Sequence, residues 1–151
     1  MIPPFEKRAG NIMEWDAAYA IGQGAVDGDH QRLFELFNQF SAAIAAGERR
    51  ESANRFLREL ADYSAYHFRR EEGLMRAVGY PDYVKHKAMH DTFADFVRKQ
   101  SDADERDLEE VQFLQSYVEM WLCGHILVMD KWFGEWLDGR AGKSGAAEPI
   151  S

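Results

Sequence analysis

A single cysteine, Cys123, leaves the chain unable to close an internal disulfide, and a fold without staples suits a reducing cytoplasm. On its own that residue reads as a small buried hydrophobe. Proline is also scarce. Of four, Pro3, Pro4 and Pro149 lie near the ends and only Pro81 falls in the middle, so long stretches are open to helix. No apolar run approaches a membrane span, and the most hydrophobic, Trp121 to Met129, is broken by Gly124 and His125. The opening MIPPFEKRAG lacks the apolar segment of a secretory signal. A cytoplasmic location without membrane attachment is therefore expected. Basic residues are outnumbered 18 to 26, for a net charge of −8. A chain this acidic repels phosphate backbones, which excludes nucleic acid as a partner.

What the chain does have is aromatic and aliphatic mass in a helical pattern. Its 151 residues are enough for one domain with a real core, and ten Phe and four Trp bring large buried areas. Residues 1–26 carry Pro, Gly and no periodicity, and read as an N-terminal arm with Trp15 and Tyr19 as packing anchors. The first helix is predicted from about Asp27–Asp29 to Ala46, stopping at Gly47. A second spans roughly Ser52 to Val78, and a third runs from Pro81 to about Lys99. After an acidic connection, a fourth covers about Asp104 to Leu137, leaving 138–151 as a flexible tail. Apolar residues recur at steps of three and four throughout. Four amphipathic helices with short connections make an all-α, up-down-up-down four-helix bundle over residues 27–137 the expected architecture.

The chemistry sits in the histidines. There are five, His30, His67, His86, His90 and His125, and all fall on the inward stripes, which on the third helix also include Met89. A lone histidine on an apolar face is usually a core residue with a satisfied hydrogen bond. Five together, with none left for the surface, need a common partner, and a metal cluster supplies it. His67 and Glu71 are four residues apart on one helix face, as are His86 and His90. Glu72, about 100° round from Glu71, is expected in solvent. Imidazole and carboxylate together suit iron or manganese.

His125 and Asp130 are five apart, about 140° from alignment in an ideal α-helix. If both are ligands, the helix must widen there into a π-bulge, eased by Gly124. The alternative is that Asp130 is a solvated residue preceding Lys131. With Asp130 counted, five imidazoles and two carboxylates exceed what one ion can use. Two octahedral ions with bridging carboxylates can use them all, leaving one coordination position open.

Four segments carry a resemblance. They are VDGDHQRLFELFN ending at Asn38 with Trp15 before it, HFRREEGLM from His67 to Met75, YPDYVKHKAMH ending at His90, and WLCGHILVMDK from Trp121 to Lys131. In this order and spacing, over about residues 15 to 133, the chain resembles the hemerythrin family in its bacterial branch. The resemblance implies two Fe ions in an oxo- or hydroxo-bridged pair. It implies His86, His90 and His125 on one iron and His30 and His67 on the other, with Glu71 and Asp130 bridging. The iron with two histidines would keep the vacant position for O₂, or for nitric oxide or small anions such as azide and chloride. Neighbours of the ligands, Phe68, Trp121, Leu122 and Ile126, would form a dry O₂ pocket that excludes water. The implied function is reversible O₂ binding for carriage, storage or delivery, without catalytic turnover. Two other functions stay open at this point. One is O₂ or redox sensing, with the 1–26 arm as the output surface. The other is a di-iron enzyme reducing nitric oxide or peroxide. No protein partner is indicated.

Overall fold

The turn chemistry between the periodic stretches decides how the chain folds back on itself. Gly47 and Gly79 take φ of +93° and +72°, the left-handed geometry that only glycine adopts without strain. Each closes a helix with the paired bonds of a Schellman turn. Glu48 N–H reaches Ala43 O at 3.0 Å and Gly47 N–H reaches Ile44 O at 3.0 Å; Tyr80 N–H reaches Met75 O at 2.9 Å. The computed structural model describes residues 12–48, 50–101 and 106–143. Its helices are α1 (Gly24–Ala45), α2 (Arg50–Val78), α3 (Tyr83–Gln100), α4 (Leu108–Gly124) and α5 (Lys131–Lys143). A π-helical turn, His125–Asp130, joins α4 to α5, so the three pieces form one continuous fourth rod. Short connections place α2 between α1 and α3, and the fourth rod packs on α1. The result is an all-α four-helix bundle preceded by an N-terminal segment.

Several boundaries differ from expectation. The first helix begins at Gly24, so Asp27 lies in its first turn, where its carboxylate accepts from Ile21 N–H at 2.8 Å and Gly22 N–H at 3.2 Å. The third starts at Tyr83, with Pro81 in the preceding turn. The fourth starts at Leu108, fixed by a reciprocal capping box in which Asp107 and Glu110 exchange side-chain and backbone bonds at 2.9 Å. It ends at Lys143 rather than Leu137. The first six residues of the expected tail are thus helical, and residues 144–151 lie outside the described residues, as do 1–11 of the expected arm.

The described part of that arm is fastened down. Met13 exchanges both backbone bonds with the Asn38 side chain, at 2.8 and 2.9 Å. Trp15, Tyr19 and Phe34 meet edge to face or tilted, with centroids 4.9–5.4 Å apart. Lys131 Nζ donates to Ala20 O at 2.8 Å, and Ile21 lies directly on Gly134, where an added Cβ would sit 2.6 Å from Ile21 O.

The interior is divided. A large apolar block gathers Leu33, Phe37 and Phe40 with Leu57, Leu60, Phe93, Val97, Leu114 and Val118. A smaller one gathers Ile21, Val26, Met75, Tyr80 and Phe133. On α1, α2 and the fourth rod a side chain of this kind falls between the two: His30 between Val26 and Leu33, Glu71 between Phe68 and Met75, Asp130 between Ile126 and Phe133. The bundle therefore holds a polar layer between two apolar ones. No helix of the described residues is long and apolar enough to cross a membrane.

Candidate metal centre

One turn of helix brings His67 and Glu71 together on α2, with His67 Nε2 3.9 Å from Glu71 Oε2. The same spacing on α3 puts the His86 and His90 rings 4.7 Å apart. On the fourth rod the π-turn does what an α-helix could not. Its i→i+5 pattern makes residues five apart neighbours, and His125 Nε2 approaches Asp130 Oδ1 at 3.2 Å. The widened turn expected from the His125–Asp130 spacing is thus present over just those six residues. Asp130 is fully buried, so the alternative of a solvated residue fails.

All seven side chains converge in the polar layer. Each is 5% exposed or less. His30 Nε2 lies 3.1 Å from His67 Nε2, and His125 Nε2 lies 3.0 Å from both His86 Nε2 and His90 Nε2. Glu71 Oε1 is 3.1 Å from the Nε2 atoms of His86 and His90. Asp130 reaches His30 through Oδ2 at 3.0 Å and His86 through Oδ1 at 2.8 Å. Despite these approaches, no oxygen of Glu71 or Asp130 has a hydrogen-bond partner among the described residues. Ring nitrogens and carboxylate oxygens instead crowd around shared points.

That crowding is what a cation resolves. Burial opposes charge on His86, but Asp130 and Glu71 beside its ring outweigh it and push its pKa up to about 9. Burial and the nearby Asp130 both push Glu71 up, yet His86 and His90 against its oxygens bring it down to about 2. Asp130 is held well below the ordinary carboxylate range, since His125, His30 and His86 overcome its burial. Two buried carboxylates in their charged form demand compensation. Within the described residues their ion-pair partners are all imidazoles. The donor set, mixed nitrogen and oxygen with lone pairs converging, fits divalent or trivalent metal. Two groups of residues could each hold an ion: Glu71, His86, His90, His125 and Asp130, and His30, His67, Glu71 and Asp130.

The profile of the Hemerythrin HHE cation binding domain matches residues 22–137, which contain every one of these side chains. The chain belongs to the hemerythrin family. Among similar proteins, a bacteriohemerythrin of Methylococcus capsulatus is 33% identical over 82% of this chain and 95% of its own length. A hemerythrin-like protein of Naegleria gruberi is 33% identical over 74% of this chain and 82% of its own. A crystal structure of a wild-type hemerythrin superposes with a TM-score of 0.73 at 32% identity, covering 82% of this chain and 95% of that one. The buried His/Glu/Asp cluster of this chain fits a two-metal site.

The residues expected to form the pocket lie on the large apolar side of the polar layer. Phe68 stacks on His90, centroids 3.8 Å apart and 4° from parallel. Trp121 stacks in the same way on His125, at 4.4 Å and 9°, with its other face on Phe93 at 4.0 Å. Leu122 and Ile126 are buried in the same block.

Sequence reasoning missed the groups behind the cluster. Glu72, expected in solvent, is 8% exposed and pairs with His90 Nδ1 at 2.8 Å. The reason is that α2 is flanked by both α1 and α3, so a step of about 100° from Glu71 leads toward α3 and not to water. Asp29, taken for a helix-start acid, is buried and accepts from His67, Tyr63 and Arg70. Burial works to raise its pKa, but His67 and Tyr63 overcome this and lower it. No spacing rule links Asp29 to His67, because they meet only once α1 packs on α2. Met89, placed on the inward stripe of the third helix, is 39% exposed; that stripe is narrower than drawn.

Proposed function

We propose that this hemerythrin is a non-haem di-iron protein that binds O₂ reversibly, for carriage, storage or delivery, and is not an enzyme. The observation that carries the reading is the inequality of the two ligand groups. They share Glu71 and Asp130, but one adds three imidazoles and the other two. If both carboxylates bridge and one solvent-derived bridge completes the core, the ion held by His86, His90 and His125 has six donors. The ion held by His30 and His67 has five, leaving a single open position for a small molecule.

The iron pair would supply the two reducing equivalents that hold O₂. The chain's own contribution is orientation and exclusion. Phe68 and Trp121 lie flat on His90 and His125, fixing the ring planes, while Leu122 and Ile126 keep that side apolar. Expulsion of water strengthens every charge interaction within the layer. It also denies a departing oxygen species the solvent that would stabilise its charge. Nitrogen-rich ligation favours lower oxidation states than carboxylate-rich sites do, which argues against strong oxidation of substrates. A sensing role draws support from one contact. Lys131, adjacent to Asp130, holds the arm through Ala20 O, so a shift at that ligand would be felt in the arm.

The test is an optical spectrum of iron-loaded protein, reduced without air and then exposed to it. The expected result is a colourless reduced form that gains a visible charge-transfer band and loses it when O₂ is removed. Prompt, irreversible consumption of O₂ would refute the carrier reading in favour of turnover.

A further inference from the structure

Five imidazoles turn Nε2 into the cluster, but only two are held at the other ring nitrogen. His67 Nδ1 lies 3.0 Å from Asp29 Oδ2, and His90 Nδ1 lies 2.8 Å from Glu72 Oε2. Among the described residues, Nδ1 of His30, His86 and His125 has no hydrogen-bond partner. The two supported rings are divided one to each ligand group, His67 in the smaller and His90 in the larger.

An ionised carboxylate can only accept. Asp29 is held in that form by Arg70, whose Nε lies 2.8 Å from the same Oδ2, and its Oδ1 accepts from Tyr63 O–H at 2.9 Å. The proton of His67 must then sit on Nδ1, which leaves the lone pair of Nε2 facing the cluster. That is the tautomer a metal requires, already selected and already aimed. Glu72 does the same for His90 from within α2. For His30, His86 and His125 no described residue selects the tautomer, and that choice would fall to the ion.

We propose that Asp29 and Glu72 are positioning residues, each presetting one imidazole so that both metal positions begin with one oriented, correctly protonated ligand. The inference rests on the two-metal reading of the cluster. Because the two residues serve different positions, their effects are separable. Asp29 governs the position with His30 and His67, Glu72 the position with His86, His90 and His125. The first has fewer imidazoles to fall back on, so the loss of Asp29 costs more there.

The experiment is a Co²⁺ titration of the full-length chain after metal removal, read by bound metal and by visible ligand-field absorption, and independent of any O₂ chemistry. The unsubstituted chain is expected to take up two ions. Asp29→Asn replaces the charged acceptor shared by His67 Nδ1 and Arg70 Nε with a neutral and weaker amide, which holds the His67 ring and its tautomer less firmly. It should weaken one ion by about 10–100-fold, change that ion's absorption and leave the other as it was. Glu72→Gln should do the converse. Tyr63→Phe removes a bond to Asp29 while leaving the carboxylate on His67, and should bind both ions within about 3-fold of the unsubstituted chain. Circular dichroism of each variant establishes that the bundle is intact, and if Asp29→Asn does not fold, the Glu72→Gln titration decides. Folded variants that bind both ions normally, or lose both equally, overturn the proposal. An unsubstituted chain that binds no Co²⁺ overturns the two-metal reading and this inference with it.

Discussion

Two glycines ten residues apart on the fourth rod should respond to alanine with opposite signs. At Gly124 an added Cβ meets nothing within 4 Å, and the residue has ordinary helical angles, φ −65° and ψ −43°. Gly124→Ala therefore gains only helix propensity and reduced chain entropy, about 0.5–1 kcal/mol of stabilisation. At Gly134 the Cβ would lie 2.6 Å from Ile21 O, 2.8 Å from Ile21 Cβ and 3.2 Å from Ile21 Cα. These atoms are backbone or next to it, so no flexible tip can swing aside and the arm itself must move. Its movement gives up the burial of Ile21, now 4% exposed, about 1.5–3 kcal/mol. It also gives up the Lys131–Ala20 bond, about 1 kcal/mol. Propensity returns about 1 kcal/mol, for a net loss of about 1.5–3 kcal/mol. Urea unfolding of the two metal-loaded variants beside the parent measures both. At this chain length 1 kcal/mol corresponds to about 2–4 °C, so the melting temperatures should separate by about 4–16 °C. Equal shifts, or a stabilised Gly134→Ala, would refute the argument that the arm is seated on the helix.

Three further outcomes are expected. Chelation should lower stability by about 5 kcal/mol if two ions at about 100 times their dissociation constants are removed, and the melting temperature with it; an unchanged melt would mean that the seven residues hold no metal. In the metal-free chain, His86, raised from 6.5 to about 9, stabilises below pH 6.5 and loses that contribution as pH rises through 9. Glu71, lowered from 4.5 to about 2, stabilises above pH 4.5 and loses it as pH falls through 2. Metal-free melts should therefore peak between these limits, near pH 4.5–6.5, and a melting temperature that climbs from pH 6 to 9 would contradict them. Finally, deleting Leu127, an exposed residue inside the π-turn, should let the fourth rod close as plain α-helix with His125 and Asp130 four apart. Metal content per chain should survive that deletion but not deletion of the exposed Ser116 in α4, which rotates every later residue by about 100°.

The bundle, the five histidines and Glu71 were legible because they obey local rules: helical periodicity exposes the inward faces on which they fall. Spacing alone left Asp130 open, and the family resemblance made it a ligand, in which case its five-residue separation from His125 required the widened turn that is there. What escaped needed tertiary neighbours. Glu72 is inward only because α3 lies beside α2, and Asp29 meets His67 only across the α1–α2 interface. The fourth rod runs past its expected end at Leu137: low apolar content after that point argues against packing and not against helix, and a helical glycine such as Gly139 costs only about 1 kcal/mol, so the helix carries on to Lys143.

The polar layer has a consequence for how the molecule comes apart. Because it separates the large apolar block from the small one, the two ends of the bundle share little direct hydrophobic contact. Their cooperativity must pass through seven side chains that repel or frustrate one another without a cation. Removing the metal should uncouple them into two units of unequal stability. The end holding Ile21, Val26, Met75, Tyr80 and Phe133, with the α2–α3 turn and the inner part of the arm, would open first and exchange its amide protons early. The block around Phe37 and Phe93 would stay closed. Bound metal would then be a linchpin of unfolding cooperativity.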